Sequence, residues 1–245
     1  LAIADIRAAI AETGSRWFDL PTDSYRPTDA HALARAILED GLEVEWGAEV
    51  LLDAGFSDEV LAVMARSGCR CLRFGLESAC EDTLRAMRKP NRPREALRIL
   101  TTCRAVGIRT AVMLIVGFPT ETQAQLNETY DYLLEHAGVI DFVALHPFSL
   151  VRGSEMARDP GAHGLFVLPG ETVLTPRVSF GSANAVGMRT EDLPRVVDAM
   201  REGLRASYPD IDEKWTVGIG GWMTFPACCG PRSGAARGAA EPDRA

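Results

Sequence analysis

The stretch RFGLESACEDTLRAMRK, Arg73 to Lys89, decides how the chain is read. Apolar Leu72 and Phe74 end a short strand-like run at Gly75, and two residues on stands a carboxylate, Glu77, followed by Ser78 and a helix-like pattern. A strand that passes through an acidic tip into a helix is a βα unit. In parallel α/β folds the loops beyond the carboxyl ends of the strands hold ligands. Glu77 is therefore expected at a mouth and not in a core, where it can accept from an ammonium group or from ribose hydroxyls. The competing reading is a loop glutamate capping a helix that starts near Ala79, where the helix dipole favours acids.

The unit recurs. Five times a helix-like segment ends in glycine and an apolar run begins at once, at Gly14, Gly41, Gly68, Gly107 and Gly138. Glycine suits the left-handed residue that closes a helix. Runs such as Ala111 to Val116 are apolar throughout, as in strands covered on both faces. Between them lie helix starts: Ser57 before Asp58 and Glu59, and Thr120 with Gln123 as a capping box. Strands alternating with helices give parallel crossovers, hence a barrel or part of one, with a doubly wound sheet as the rival. The strand tips then share one rim: Asp19 to Ser24, Trp46 to Glu49, Gly75 to Ser78, Gly117 to Thr122 and His146 to Ser149.

Bulk properties narrow the function classes. The chain has 245 residues, 47% hydrophobic and 24% charged, with a net charge of −8. An acidic balance argues against a general grip on nucleic-acid backbones, which needs clustered Lys and Arg. No apolar run approaches the roughly 20 residues that cross a bilayer, and no signal-peptide pattern opens the chain. The six cysteines, Cys69, Cys71, Cys80, Cys103, Cys228 and Cys229, form no paired CxxC zinc pattern. Cys69, Cys71 and Cys103 read as small buried hydrophobes. Cys228 and Cys229 read as a reactive pair, a metal clip or part of a frayed tail. This usage fits a reduced, cytoplasmic protein.

FGLES, the following L-x-x-M-x-K pattern (Leu84, Met87, Lys89) and the strand ending IVGFPTET (Ile115 to Thr122) together resemble the radical S-adenosylmethionine enzymes. The likeness is to the branch with an Elp3/MiaB/NifB-like core, and within it to proteins that carry a cobalamin-binding domain ahead of the core. It covers about Ile3 to Leu165. The resemblance implies an α/β fold: a partial parallel (βα)6 TIM-like barrel, here lacking its first strand, plus a small C-terminal extension. It implies S-adenosylmethionine and a [4Fe–4S] cluster as cofactors, with cobalamin as a further candidate. One electron from the cluster would cleave the sulfonium to methionine and a 5′-deoxyadenosyl radical. Partners would be a small-molecule or peptide substrate and a reductant such as flavodoxin or ferredoxin.

Carried over residue by residue, Glu77 and Ser78 match the strand tip that reaches the amino or ribose groups. Lys89 matches a basic residue facing the methionyl carboxylate, against the reading of a solvated helix-end lysine. Ile115, Gly117 and Pro119 match the strand that passes beside the adenine, glycine letting backbone approach a flat ring. Asp19 matches the acidic position of an earlier strand, although Leu20-Pro21-Thr22 replaces the usual second acid. His146 and Phe148 stand where substrate would be touched. The family's CxxxCxxC motif is absent from the sequence, so no metal ligand is assigned. Two readings follow: an N-terminally truncated piece of a full enzyme, which is the expectation, or a cluster-less relative that binds nucleotide or a partner. An acid–base barrel enzyme using Asp19, Glu49 and Glu77 is the other class. The expected organisation is an incomplete core barrel over 1–165, an extension over 166–225 with one helix at about 190–207, and a disordered tail over 226–245. Trp215, Trp222 and Phe225 are expected in a lid or core. Without its first strand the barrel leaves Arg16 to Asp19 as an unpaired sheet edge.

Overall fold

A computed structural model of the chain describes residues 2–169, 176–183, 187–209 and 211, with backbone alone for 21–24. The tail and the aromatic residues Trp215, Trp222 and Phe225 lie outside the described residues, as do Cys228 and Cys229. The chain runs α1 (Ala2–Thr13), β1 (Trp17–Tyr25), α2 (Pro27–Glu39), β2 (Glu45–Val50), α3 (Asp58–Arg66), β3 (Cys69–Glu77), α4 (Glu81–Ala86), α5 (Pro93–Ala105), β4 (Arg109–Val116), α6 (Gln123–Glu135) and β5 (Phe142–Pro147). The five strands form one parallel sheet in the order of the chain, β1-β2-β3-β4-β5. This is the expected partial barrel, with β1 at its edge.

The sheet has two differently built faces. Along β3, Leu72, Phe74 and Leu76 are fully buried in the core they share with Leu61 and Met64 of α3 and Leu100 of α5. The intervening Arg73, Gly75 and Glu77 point to the other face, as period-two alternation requires. Burying side chains of this size stabilises by about 1.5–3 kcal/mol each. The helix-covered face therefore supplies the stability, and the opposite face is left for chemistry.

Ser57 caps α3 as expected, its Oγ accepting from the Val60 N–H at 3.3 Å. The capping box on α6 lies two residues later than the sequence suggests. It is built from Thr122 and Gln125, because Pro119 to Glu121 are used in a turn closed by Glu121 N–H on the Phe118 carbonyl at 2.7 Å. Four of the five helix-ending glycines have positive φ, but Gly138 does not: α6 ends earlier, in a turn in which Val139 N–H returns to the His136 carbonyl. The four cysteines from Cys69 to Cys103 are buried thiols outside any disulfide.

Past β5 come β6 (Leu150–Val151), the short α7 (Glu155–Arg158), β7 (Leu165–Val167), β8 (Arg177–Val178), β9 (Phe180–Ser182) and α8 (Leu193–Leu204). Antiparallel pairs β6–β8 and β7–β9 bury a small separate cluster of Leu150, Leu165 and Val178. Helix α8 belongs to the main core instead: Val197, Met200 and Leu204 are buried there, and the Tyr208 hydroxyl donates to the Leu133 carbonyl at 2.6 Å. No described helix is long and apolar enough to cross a membrane.

Candidate ligand-binding mouth

The FGLES stretch forms a strained turn. Ser78 N–H donates to the Leu76 carbonyl at 2.8 Å, two residues back, and Glu77 between them has φ 65°. A turn of this hand is rare for a side-chain-bearing residue. It folds the Glu77 carboxylate back over Gly75, where a Cβ would lie 2.9 Å from Oε1. Gly75 is therefore the residue that makes room for the carboxylate. Ser78 anchors the turn from behind: it is buried, its Oγ lies 3.0 Å from Thr129 Oγ1 of α6, and it accepts from Cys80 N–H at 3.1 Å. Thr129 also takes the Ala79 N–H at 3.0 Å. Glu77 does not cap the next helix, whose N-cap is Cys80.

Helix α4 closes through Arg88, at φ 55° the only other side-chain-bearing residue with positive φ among the described residues. That turn brings Lys89 back to the strand tip, where its Nζ meets Glu77 Oε1 at 2.7 Å. Glu77 is 14% exposed and Lys89 42%, so the pair lies at the edge of solvent. Two strained backbone positions thus bracket one ion pair, the pattern seen where backbone strain serves a site.

The pair opens onto a cavity of about 680 Å³ at the carboxyl ends of the strands. Glu49 comes from the end of β2 and Asp53 from the loop after it, Met113 and Ile115 from β4, His146 and Phe148 from the end of β5, and Arg177 from β8. Phe148 packs edge-on against Phe118 and Phe180, with ring centroids 5.5 and 5.4 Å apart, which ties the extension to the rim.

Of the expected residues, Glu77, Lys89, Ile115, His146 and Phe148 share this cavity. Asp19 lies on the same face of the sheet but is bound to Arg73 at 2.7 Å, with side chains 18% and 11% exposed. Ser78 faces away from the cavity. Gly117 and Pro119 stand at the same end of the sheet but behind it. The space left by the missing Cβ of Gly117 is taken by Leu193, whose Cδ2 would be 2.0 Å from such a Cβ, and the Pro119 carbonyl packs on Gly187. The close backbone approach expected at Gly117 is thus made by a side chain of α8. Among the described residues no group of three or more His, Cys, Asp or Glu side chains is placed to hold a metal ion.

Glu121 received no role from the sequence beyond its place in the rim motif. It is 1% exposed, its Oε2 accepts the Gly117 N–H at 2.7 Å, and its Oε1 is buried without a partner. Burial pushes its carboxyl up from 4.5 to about 7, against the lowering pull of the Gly117 and Phe118 N–H groups. Because the folded value lies above the ordinary one, the folded protein keeps a proton that the unfolded chain releases. Glu121 therefore favours the fold most at low pH, and that contribution is lost as pH rises through about 7. Relative to Glu121→Gln, wild type is expected to lose about 1–3 kcal/mol between pH 5 and 8. Urea melts of both proteins at the two pH values measure this; parallel pH profiles contradict it.

A parallel sheet wound as a partial barrel, with an ion pair held on strained turns at its strand tips, defines the class of the fold as a partial α/β barrel. Residues 21–133, a little under half of the chain, match the model of the Radical SAM superfamily. Among curated relatives, an uncharacterized methyltransferase of Pyrococcus horikoshii is 28% identical over 96 residues, covering 39% of this chain and 21% of the relative. The tRNA-2-methylthio-N(6)-dimethylallyladenosine synthase of Salinispora arenicola is 40% identical over 80 residues, covering 31% of this chain and 16% of the relative. The chain thus spans between 16% and 21% of the length of these relatives. Among solved structures, the radical S-adenosylmethionine methyltransferase TsrM of Kitasatospora setae, with tryptophan and a SAM analogue bound, superposes with TM-score 0.62. The identity is 15%, over 84% of this chain and 46% of that one. Coproporphyrinogen III oxidase of Escherichia coli superposes with TM-score 0.56 at 13% identity, over 84% of this chain and 45% of that one. At these identities the superpositions speak for the fold.

Proposed function

We propose that this chain is the S-adenosylmethionine-binding part of a radical SAM enzyme, with the Glu77–Lys89 cavity holding the nucleoside. The observation that carries the reading is that pair: a carboxylate and an ammonium 2.7 Å apart at the mouth. They complement the ammonium and carboxylate of a methionyl group, and Ile115 and Met113 offer an apolar wall for the adenine. Asp19 supports the inner face through Arg73, Ser78 holds the turn that aims Glu77, and Gly117 with Pro119 seats the turn after β4 against α8. Bound S-adenosylmethionine supplies a sulfonium whose reductive cleavage gives a 5′-deoxyadenosyl radical.

The described residues fit that nucleoside but not the [4Fe–4S] cluster, for which they offer no ligand set. The cluster, cobalamin, a reductant of the flavodoxin or ferredoxin kind and the small-molecule or peptide substrate therefore belong to this reading at the level of the parent enzyme.

Titration of S-adenosylmethionine into the chain under anaerobic conditions tests the reading. Saturable binding with one molecule per chain is expected. Absence of saturable binding by both S-adenosylmethionine and S-adenosylhomocysteine rejects it.

A further inference from the structure

Asn91 stands in the segment Lys89-Pro90-Asn91-Arg92-Pro93 that joins α4 to α5, and it is only 6% exposed. Its Nδ2 donates to the carbonyls of Gly75 at 2.8 Å and Leu76 at 3.1 Å. Main-chain carbonyls only accept, so the amide cannot be reversed, and both of its donors are spent on the tip of β3. Oδ1 is left as the one free polar atom of the side chain. No hydrogen bond reaches it from the described residues, yet it is not among their sealed, unpartnered oxygens, which are Thr83 Oγ1 and Glu121 Oε1. Asn91 lines the same cavity as Glu77, Lys89 and Ile115.

We propose that Asn91 contacts the ligand: its Oδ1 accepts a hydrogen bond from an N–H or O–H donor of the molecule held in the cavity. The same amide fixes the two carbonyls that precede Glu77, so one side chain both orients the carboxylate and adds a directional acceptor beside it. Being held at both donors, the amide gives up little side-chain entropy when a ligand arrives. This inference rests on the S-adenosyl reading of the cavity. In such a ligand the donor is either the methionyl ammonium or a hydroxyl or amino group of the nucleoside.

Two probes separate these sources: S-adenosylhomocysteine, which has both ends, and 5′-methylthioadenosine, which lacks the amino-acid end. In calorimetric titrations Asn91→Ala is expected to weaken binding about 3- to 10-fold, the worth of one hydrogen bond. A loss for both probes places the donor on the nucleoside, and a loss for S-adenosylhomocysteine alone places it on the ammonium. Unchanged affinity for both overturns the proposal. A readout that looser packing alone would not move is the side-chain 13Cγ resonance of Asn91 in wild-type protein. It is expected to shift on saturation with S-adenosylhomocysteine; if it stays in place the proposal falls, whether or not the variant folds. Wild-type protein that binds neither probe, nor S-adenosylmethionine, removes the S-adenosyl reading itself and this inference with it; if it binds S-adenosylmethionine alone, that ligand is the probe for the Asn91→Ala comparison, and unchanged affinity overturns the proposal. Wild-type binding with an indifferent Asn91 removes the inference alone.

Discussion

Glu77→Gly is expected to bind S-adenosylmethionine about 10- to 150-fold more weakly than wild type while melting at the same temperature or higher. The binding loss follows from removing a charged hydrogen-bond partner, worth about 1.5–3 kcal/mol. The stability gain follows from the backbone. At φ 65° a residue with a Cβ is strained, by about 1–2 kcal/mol, and glycine is not. Against this stands the lost ion pair with Lys89, which is 42% exposed, so its contribution is small, at most about 1 kcal/mol. Glu77→Gln separates the two effects, since it keeps the strained backbone and loses the charge. It should share the binding loss without the gain in stability. Paired urea melts and titrations decide; a Glu77→Gly protein that melts several degrees lower, or binds as wild type does, contradicts the assignment of strain to a site.

Gly68→Ala is expected to have the largest effect on the fold. Gly68 has φ 93°, and a Cβ on it would lie 1.9 Å from the main-chain oxygen of Val44. The obstruction is backbone and cannot rotate away. Gly68 also receives the Trp46 N–H on its carbonyl at 2.9 Å, so any retreat opens the start of the β2–β3 pairing. A cost of about 4 kcal/mol or more is expected, a large share of the stability of an ordinary domain. Gly41→Ala is the control: φ is 64° but nothing lies within 4 Å, so only the left-handed penalty of about 1–2 kcal/mol remains. Equal urea midpoints for the two variants would show that the close approach at Gly68 is relieved elsewhere.

These two glycines mark how far the sequence could be read. Gly68 was visible because helix ends announce themselves locally, and the same signal laid out the alternation of strands and helices. It misled at Gly138, where the helix stops earlier and no left-handed residue is needed. Glu77 was visible as an acid at a strand tip, but its turn was not. That turn depends on Gly75 beneath the carboxylate and on Thr129, 51 residues away, behind Ser78. Gly117 shows the same limit. The sequence asked what flat group approaches it, and the answer is Leu193, which only the packing of α8 brings there. Asn91 carried no signal because its partners are main-chain carbonyls, which every residue has. Glu121 stood in the rim motif, yet its burial and its raised carboxyl value arise from the turn around it.

The order of the strands in the sheet is also the order in which a ribosome delivers them. No strand has to insert between two that have already paired, as it must in a doubly wound sheet, so the sheet can grow vectorially along one border. Each emerging βα pair completes the ledge laid down by the one before it. Synthesis halted after β3 would leave Leu72, Phe74 and Leu76 without α5, and the nascent chain with an apolar flank for chaperones to shield.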